Sequence, residues 1–286
     1  MTEPLSIKTV LDDATRRIAT ASDSARLDAE LLLAKAIDMP RSYLFAHPED
    51  EPDDAALERF ETNLARRIAG EPMAYICGEK EFWSMPLMVT PATLVPRPET
   101  EILVDLALRE IPRRGACRVL DLGTGSGAIA LAIAKERPLC DVTAVDISAD
   151  ALQVAIQNAR QLQLGNVRFL QGSWTEPVAG ECFDIIVSNP PYVREDDEAL
   201  QRLGAEPRAA LVAGEDGLDA IREILGEAGD IVVPNGLLFL EHGFGQAADV
   251  EAICLRSAWI DIRCHNDYAG LPRVTVARSK TCKEIT

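Results

Sequence analysis

In the N-terminal part of the chain, apolar positions recur at helical spacing. Ile7, Val10, Leu11, Ala14 and Ile18 share one face at a 3.6-residue period. Leu27, Leu31 and Ala34 predict a second such face before Met39-Pro40 ends the segment. Leu57, Phe60, Leu64 and Ile68 predict a third, behind a Pro52-Asp53 start suited to an N-cap. Stripes of this kind bury themselves against one another, so residues 1–73 read as a small helical bundle. With no chemistry in it, the bundle is expected to be a structural or substrate-docking domain. The period then changes. Glu81-Phe82-Trp83 and Leu87-Met88-Val89, joined through Ser84-Met85-Pro86, predict a β-hairpin, and 74–96 is expected to be a linker. Pro96 to Glu101 leads into Ile102-Leu103-Val104 and a helix, with Pro98 just inside its start and Glu99 and Glu101 in its first turn.

From Arg118 onward strand and helix patterns alternate, which predicts an α/β fold with a mostly parallel sheet covered on both faces. Strands are expected at Val119-Leu120, Val142 to Val145, Val167 to Leu170, Ile185 to Val187 and Leu237 to Leu240. Between them fall helices ending near Ala134 and Leu162, then Leu218 to Ala228 and Val250 to Leu255, with Ser148 or Asp150 capping the second. Trp259 to Cys264 and Val274 to Ala277 follow each other without a helix, the pattern of an antiparallel pair at the end of the sheet.

The chain is organised around Phe183-Asp184-Ile185-Ile186-Val187-Ser188-Asn189-Pro190-Pro191-Tyr192. An apolar run without alternation is a strand buried on both faces, and two prolines stop its ladder because neither has an N–H to donate. Asn189 therefore stands at the carboxyl end of a strand, where open α/β sheets bind ligands. Its side-chain oxygen and the carbonyl of Pro190 are acceptors for an –NH2 group, and Tyr192 offers a flat face for a planar one. An Asn-Pro turn that merely caps a strand is the plainer reading.

Gly123-Thr124-Gly125-Ser126-Gly127 lies between a strand and a helix, a loop that lets a ligand approach the backbone. Gly123-x-Gly125-x-x-Ala128 also satisfies a relaxed dinucleotide fingerprint. Asp146, 19 residues beyond Gly127 at the end of the second strand, can accept both hydroxyls of a ribose, in NAD or in S-adenosylmethionine alike; a cap neighbour is the alternative. Trp174 is placed either to flank an adenine or to fill the core. Hydride transfer has no use for Asn-Pro-Pro-Tyr, whereas methyl transfer to an –NH2 group does.

Composition narrows the field. The 286 residues carry 46 acids against 29 bases, a net charge of −17, which disfavours gripping a phosphate backbone. Seven scattered cysteines (Cys77, Cys117, Cys140, Cys182, Cys254, Cys264, Cys282) include no C-x-x-C, and with His47, His242 and His265 form no metal-ligand cluster, so no metal is expected. No apolar run reaches the roughly 18 residues of a membrane span. The N-terminus has neither a basic nor an apolar leader region, so a cytoplasmic protein is expected, acting as a monomer.

Asp121-Leu122-Gly123-Thr124-Gly125-Ser126-Gly127, Asp146 and Asn189-Pro190-Pro191-Tyr192, in that order, resemble the class I S-adenosylmethionine-dependent methyltransferases. The helical N-terminus, Glu81-Phe82-Trp83, Pro96 to Glu101, Glu206-Pro207-Arg208 and Gly214-Glu215-Asp216-Gly217 narrow the resemblance to the bacterial peptide chain release factor glutamine methyltransferases, over nearly the full chain. That family methylates the side-chain amide nitrogen of the Gln in the Gly-Gly-Gln loop of translation termination factors. The resemblance implies a doubly wound, Rossmann-like sheet of seven strands in residues 97–286 and a helical domain that helps engage the release factor. It implies that Gly123, Thr124, Gly125, Ser126 and Gly127 line the methionine part of the cofactor, Asp146 holds the ribose and Trp174 borders the nucleoside. Asn189, Pro190, Pro191 and Tyr192 would hold the glutamine. Ser173 departs from the pattern, since many relatives carry an acid there. A ribosomal-protein glutamine methyltransferase is the nearest rival, disfavoured by Pro98-Glu99-Thr100. A DNA adenine-amine methyltransferase is disfavoured by the acidic balance. An NAD-dependent oxidoreductase and a non-catalytic binding module complete the alternatives.

Overall fold

The structure is a computed structural model that describes residues 5–257 and 259–280; Cys282 and the Met-Thr-Glu-Pro start lie outside the described residues. The chain forms two compact units, one up to Glu79 and one from Lys80.

The first unit is helical: α1 Ile7–Ile18, α2 Ala25–Ala36, α3 Arg41–Ala46, α4 Asp54–Ile68 and α5 Met73–Cys77. Ser6 caps α1 by accepting from the Thr9 N–H, and all five apolar residues of its predicted face are buried. Asp53 caps α4 as expected, accepting from the Ala56 N–H at 2.7 Å. Phe60 and Leu64 of that helix are buried, while Ile68 is exposed at its end. α2 departs from the sequence reading. Leu27 and Leu31 are exposed, and the core takes Ala29, Leu32, Leu33 and Ala36 beside the expected Ala34. Two acids lie on the buried side: Asp28 pairs with Arg67 at 2.7 Å, and Glu30 with Arg26 at 2.8 Å and Arg41 at 2.7 Å. Arginine partners from other turns and helices make those carboxylates tolerable inside, so polarity along α2 misreports its inner face.

A hairpin, β1 Glu79–Phe82 and β2 Met85–Met88, leads into the second unit. Its turn is shorter than the sequence suggested. Trp83 and Ser84, both at φ +52°, make a two-residue left-handed turn. Met85 thereby becomes a strand residue, buried with Phe82 and Leu87, and Pro86 falls at an exposed position between them. Next comes α6 Thr100–Glu110. Pro98 lies before this helix rather than inside its start, and Glu101 in the first turn accepts from the Trp83 N–H at 2.8 Å.

The remaining elements are β3 Arg118–Leu122, α7 Ala128–Glu136, β4 Asp141–Asp146, α8 Ala149–Gln161, β5 Val167–Gln171, β6 Phe183–Ser188, α9 Ala199–Arg202, α10 Asp219–Ile231, β7 Val232–Glu241, α11 Ala247–Arg256, β8 Trp259–Asn266 and β9 Pro272–Ser279. The seven-stranded sheet runs β5-β4-β3-β6-β7-β9-β8, parallel except for β9, which is antiparallel to both neighbours. Val119, Val142, Ile185, Val187 and Phe239 face α6 and α7 on one side. Leu120, Leu122, Ile186, Leu238 and Leu240 face α10 and α11 on the other. This is the doubly wound α/β sheet the alternation predicted. Strand order reverses between β3 and β6, whose ends pair in register at Asp121–Val187 and Leu122–Ser188. Such a switch point opens a crevice at the carboxyl ends of the strands. Among the described residues no helix is long and apolar enough to cross a membrane.

Candidate functional site

A cavity of about 560 Å³ opens at that switch point, lined by the loops that follow β3, β4, β5 and β6. Its volume lies in the range typical of small-molecule sites. The loop after β3 needs glycine for its backbone: Gly123, Gly125 and Gly127 have φ of +73°, +57° and +85°. A Cβ on Gly125 would meet nothing within 4 Å, so this part of the loop opens freely toward a ligand. Gly123, Thr124, Gly125 and Ser126 line the cavity, and Gly127 does not. A Cβ there would lie 3.0 Å from Leu131 Cδ1 and 3.2 Å from Ala155 Cβ. Its smallness serves the packing of α7 against α8, a correction to its place in the predicted cofactor set.

Asp146 closes β4, where the sequence reading placed it. Its Oδ2 accepts from the Gly125 N–H at 2.8 Å and its Oδ1 from the Ser148 N–H at 2.9 Å, while the residue lines the cavity. Each oxygen keeps acceptor capacity beyond those bonds. Partial burial raises its pKa, and the two N–H groups pull it back down. Asn158, fully buried, supports the same loop from behind by donating to Ser126 O at 2.9 Å and to Met88 O at 3.0 Å. Trp174 lines the cavity and holds a left-handed φ of +38°; its indole N–H donates to Glu223 at 2.7 Å. It also packs on the edge of the core.

Asn189 and Pro191 line the cavity, whereas Pro190 is buried beneath them and Tyr192 turns away. The Tyr192 hydroxyl donates to Glu241 at 3.4 Å and its carbonyl accepts from Gln246 at 3.0 Å. In this arrangement Tyr192 gives the cavity no open ring face, which corrects the expectation that it packs on the substrate amide. The Asn189 side-chain NH2 donates to the Thr100 hydroxyl at 3.1 Å. That bond turns the carboxamide so that its oxygen is the end without a hydrogen-bond partner among the described residues.

Several residues of the site were not among the predicted ones. Asp121 is fully buried at the end of β3. It accepts from the Thr124 hydroxyl at 2.7 Å and the Ala130 N–H at 3.2 Å, and leaves Oδ1 without a partner among the described residues. Burial pushes it up to about 7. Glu241, at the end of β7, is likewise pushed up to about 7 by burial, against the pull of the Thr100 hydroxyl, Arg273 and the Tyr192 hydroxyl. An acid at or next to the end of an apolar strand was the signal for both. Arg97 pairs with the buried Glu206, which also accepts from the Val95 N–H at 3.1 Å, so two cavity-lining segments are tied together. The His242 ring bonds to Gly243 O and the Thr275 hydroxyl at 2.9 Å each, with Cys264 Sγ at 3.9 Å.

The charged residues of the lining are Asp146, Asp219, Glu223 and a single cation, Arg97. Three carboxylates against one guanidinium suit a cationic ligand and repel the pyrophosphate of a dinucleotide or a nucleic-acid backbone.

A sheet of this order, with a glycine loop and an Asn-Pro-Pro-Tyr end at its switch point, defines a methyltransferase of the doubly wound α/β class. Residues 114–241 match the family described as "Methyltransferase domain", and residues 9–78 the "PrmC N-terminal domain". The fold is shared with a methyltransferase from Pyrococcus furiosus, at a TM-score of 0.54 and 21% identity over 77% of this chain and 98% of that one. The release factor glutamine methyltransferase of Salmonella typhimurium is 48% identical over 90% of this chain and 93% of its own length. That of Coxiella burnetii is 44% identical over 96% and 99%. The chain belongs to the release factor glutamine methyltransferase family.

Proposed function

We propose that this protein transfers a methyl group from S-adenosylmethionine to the side-chain amide nitrogen of the glutamine in the Gly-Gly-Gln loop of peptide chain release factors. The observation that carries the reading is the Asn189–Thr100 hydrogen bond, which commits the Asn189 carboxamide to present its oxygen. The cavity fits the cofactor in charge, with three carboxylates in its lining, and in shape, with a glycine loop free of side chains at Gly125. Asp146 would hold the ribose, Trp174 border the nucleoside and Gly123 to Ser126 approach the methionine part. When bound, S-adenosylmethionine supplies an electrophilic methyl on a sulfonium.

An amide nitrogen is a weak nucleophile because its lone pair is delocalised into the carbonyl. Orientation is therefore the main help these residues can give. Asn189 Oδ1 accepts one N–H of the substrate amide, which orients it along the line of displacement, whereas Pro190, expected as a second acceptor, is buried and does not line the cavity. The same oxygen stabilises positive charge as it grows on nitrogen. Pro191 shapes the wall beside it, and Tyr192 supports the segment from below through Glu241 and Gln246. The helical unit engages the release factor, and the reaction takes place in the cytoplasm, where translation ends.

The test is mass spectrometry of purified release factor after incubation with this protein and labelled S-adenosylmethionine. One added methyl on the loop glutamine is expected. An unmodified factor, or a methyl on another residue, would overturn the assignment.

A further inference from the structure

We propose that Glu206 is a positioning residue for the protein substrate: paired with Arg97, it fastens the apolar wall beside Asn189 and so sets how the glutamine is received rather than how the cofactor binds. The inference rests on the function proposed above and goes beyond it, because Glu206 does not itself line the cavity.

Strand order divides the cavity. Gly123 to Ser126, Asp146 and Trp174 follow β3, β4 and β5 on one side of the switch point, and Asn189 follows β6 on the other. On the Asn189 side the connection between β6 and α10 adds Pro207, Ala209, Ala210 and Val212 to the lining. None of these four side chains can form a hydrogen bond, so the wall is held by other means. At its far end the backbone holds it. The Val193 N–H, just beyond Tyr192, donates to Leu211 O at 2.8 Å, and the Ala213 N–H donates to Val193 O at 3.0 Å.

At its near end Glu206 holds it. This carboxylate directly precedes Pro207, and its side chain is 3% exposed. One oxygen takes the Arg97 guanidinium and the other the Val95 N–H at 3.1 Å. A carboxylate removed from water is costly without such partners, so Glu206 stays inside only while the 95–97 stretch lies against it. That stretch leads into α6, whose Thr100 accepts the Asn189 NH2 at 3.1 Å. One short run of chain therefore grips Asn189 at Thr100 and the wall at Arg97, which fixes the distance between the acceptor oxygen and the wall that faces the substrate. The same pair engages the one cation of the lining.

Two measurements on the full chain test this. The first is amide hydrogen exchange without ligand. In Glu206→Gln the amides of Val193, Val212 and Ala213 should exchange roughly tenfold faster or more, the effect of losing a charged hydrogen bond. The Gly123 amide, bonded to Val145 O in the cofactor loop, should keep its wild-type rate. Unchanged protection at the three wall amides would overturn the proposal. The second is steady-state kinetics beside a binding titration. Glu206→Gln should raise KM for the release factor roughly tenfold, with kcat and the affinity for S-adenosylhomocysteine near wild type. An unchanged KM, or an equal loss of S-adenosylhomocysteine affinity, would overturn it. The double variant Arg97→Met, Glu206→Gln should be no worse than either single one, because both break the same pair; additive losses would count against the fastening. Should the wild type methylate no release factor, the function is wrong, and the exchange pattern still decides whether Glu206 holds the wall. If Glu206→Gln does not fold, Arg97→Met, at the more exposed partner, decides in both measurements.

Discussion

The carboxylate of Asp146 accepts a hydrogen bond from the backbone N–H of Gly125 at 2.8 Å, joining the end of β4 to the middle of the glycine loop. One acid thus holds the loop in shape and faces the cavity that the loop borders. Asp146→Ala should remove both effects together. We expect S-adenosylhomocysteine to bind roughly a hundredfold more weakly, from the loss of charge-assisted bonds of about 1.5–3 kcal/mol. Isothermal calorimetry checks this. Turnover at saturating cofactor should change far less than affinity.

The opposite pattern is expected at Asn189. In the proposed reaction its side chain offers an acceptor to the substrate; in the structure it donates to Thr100. Asn189→Ala should lower kcat by about 10²–10³, the cost of losing one preorganised polar contact to developing charge. Cofactor affinity should stay near the wild-type value. Single-turnover methyl transfer beside a binding titration separates the two. Collapse of cofactor binding with the chemistry intact would contradict the role given to this residue.

Gly127 and Gly125 should part company although they are two residues apart in one motif. Gly127→Ala places a Cβ against Leu131 and Ala155 at a φ of +85°. It should cost about 1–3 kcal/mol of stability in a denaturant titration and leave cofactor affinity unchanged below the melting transition. Gly125→Ala meets no atom within 4 Å, so its cost is conformational, at φ +57°, and falls on the edge of the cavity. There the cofactor affinity should drop.

Two buried acids make stability depend on pH in an unusual direction. Burial lifts Asp121 from its ordinary 3.8 to about 7, and Glu241 from 4.5 to about 7. Between those limits the native state holds protons that the unfolded chain has released, so their contribution to stability falls as pH rises. The loss begins near the ordinary carboxyl values and is complete above about 7. Melting temperatures measured from mildly acid to mildly alkaline pH should show this downward contribution. The double variant Asp121→Asn, Glu241→Gln should lose it. A slope that persists in that variant would place the titrating groups elsewhere.

Much of this was legible in the sequence, for physical reasons that differ from place to place. The strands of the sheet announced themselves because a strand buried on both faces is apolar throughout, as at Ile185 to Val187. The antiparallel end pair followed from the lack of a helix between Trp259 and Pro272. What failed did so where a side chain's partner is distant in sequence. Asp28 and Glu30 lie inside because Arg67 and Arg41 meet them, and nothing local in α2 says so. Gly127 was read as a ligand residue with its motif neighbours, which line the cavity, whereas its own neighbours in space are Leu131 and Ala155. Tyr192 was expected on the substrate, since the sequence does not reveal that Glu241 and Gln246 draw it inward. The hairpin turn was placed late because Pro86 looked like a turn residue, although an exposed strand position accepts it.

The most direct measurement is a crystal structure of the protein with S-adenosylhomocysteine and a Gly-Gly-Gln peptide. The glutamine Nε2 should lie within about 2.7–3.2 Å of Asn189 Oδ1, on the side of the cavity toward the cofactor sulfur. A glutamine whose carbonyl oxygen takes that place, or an Asn189 that presents its NH2 to the peptide, would contradict the account.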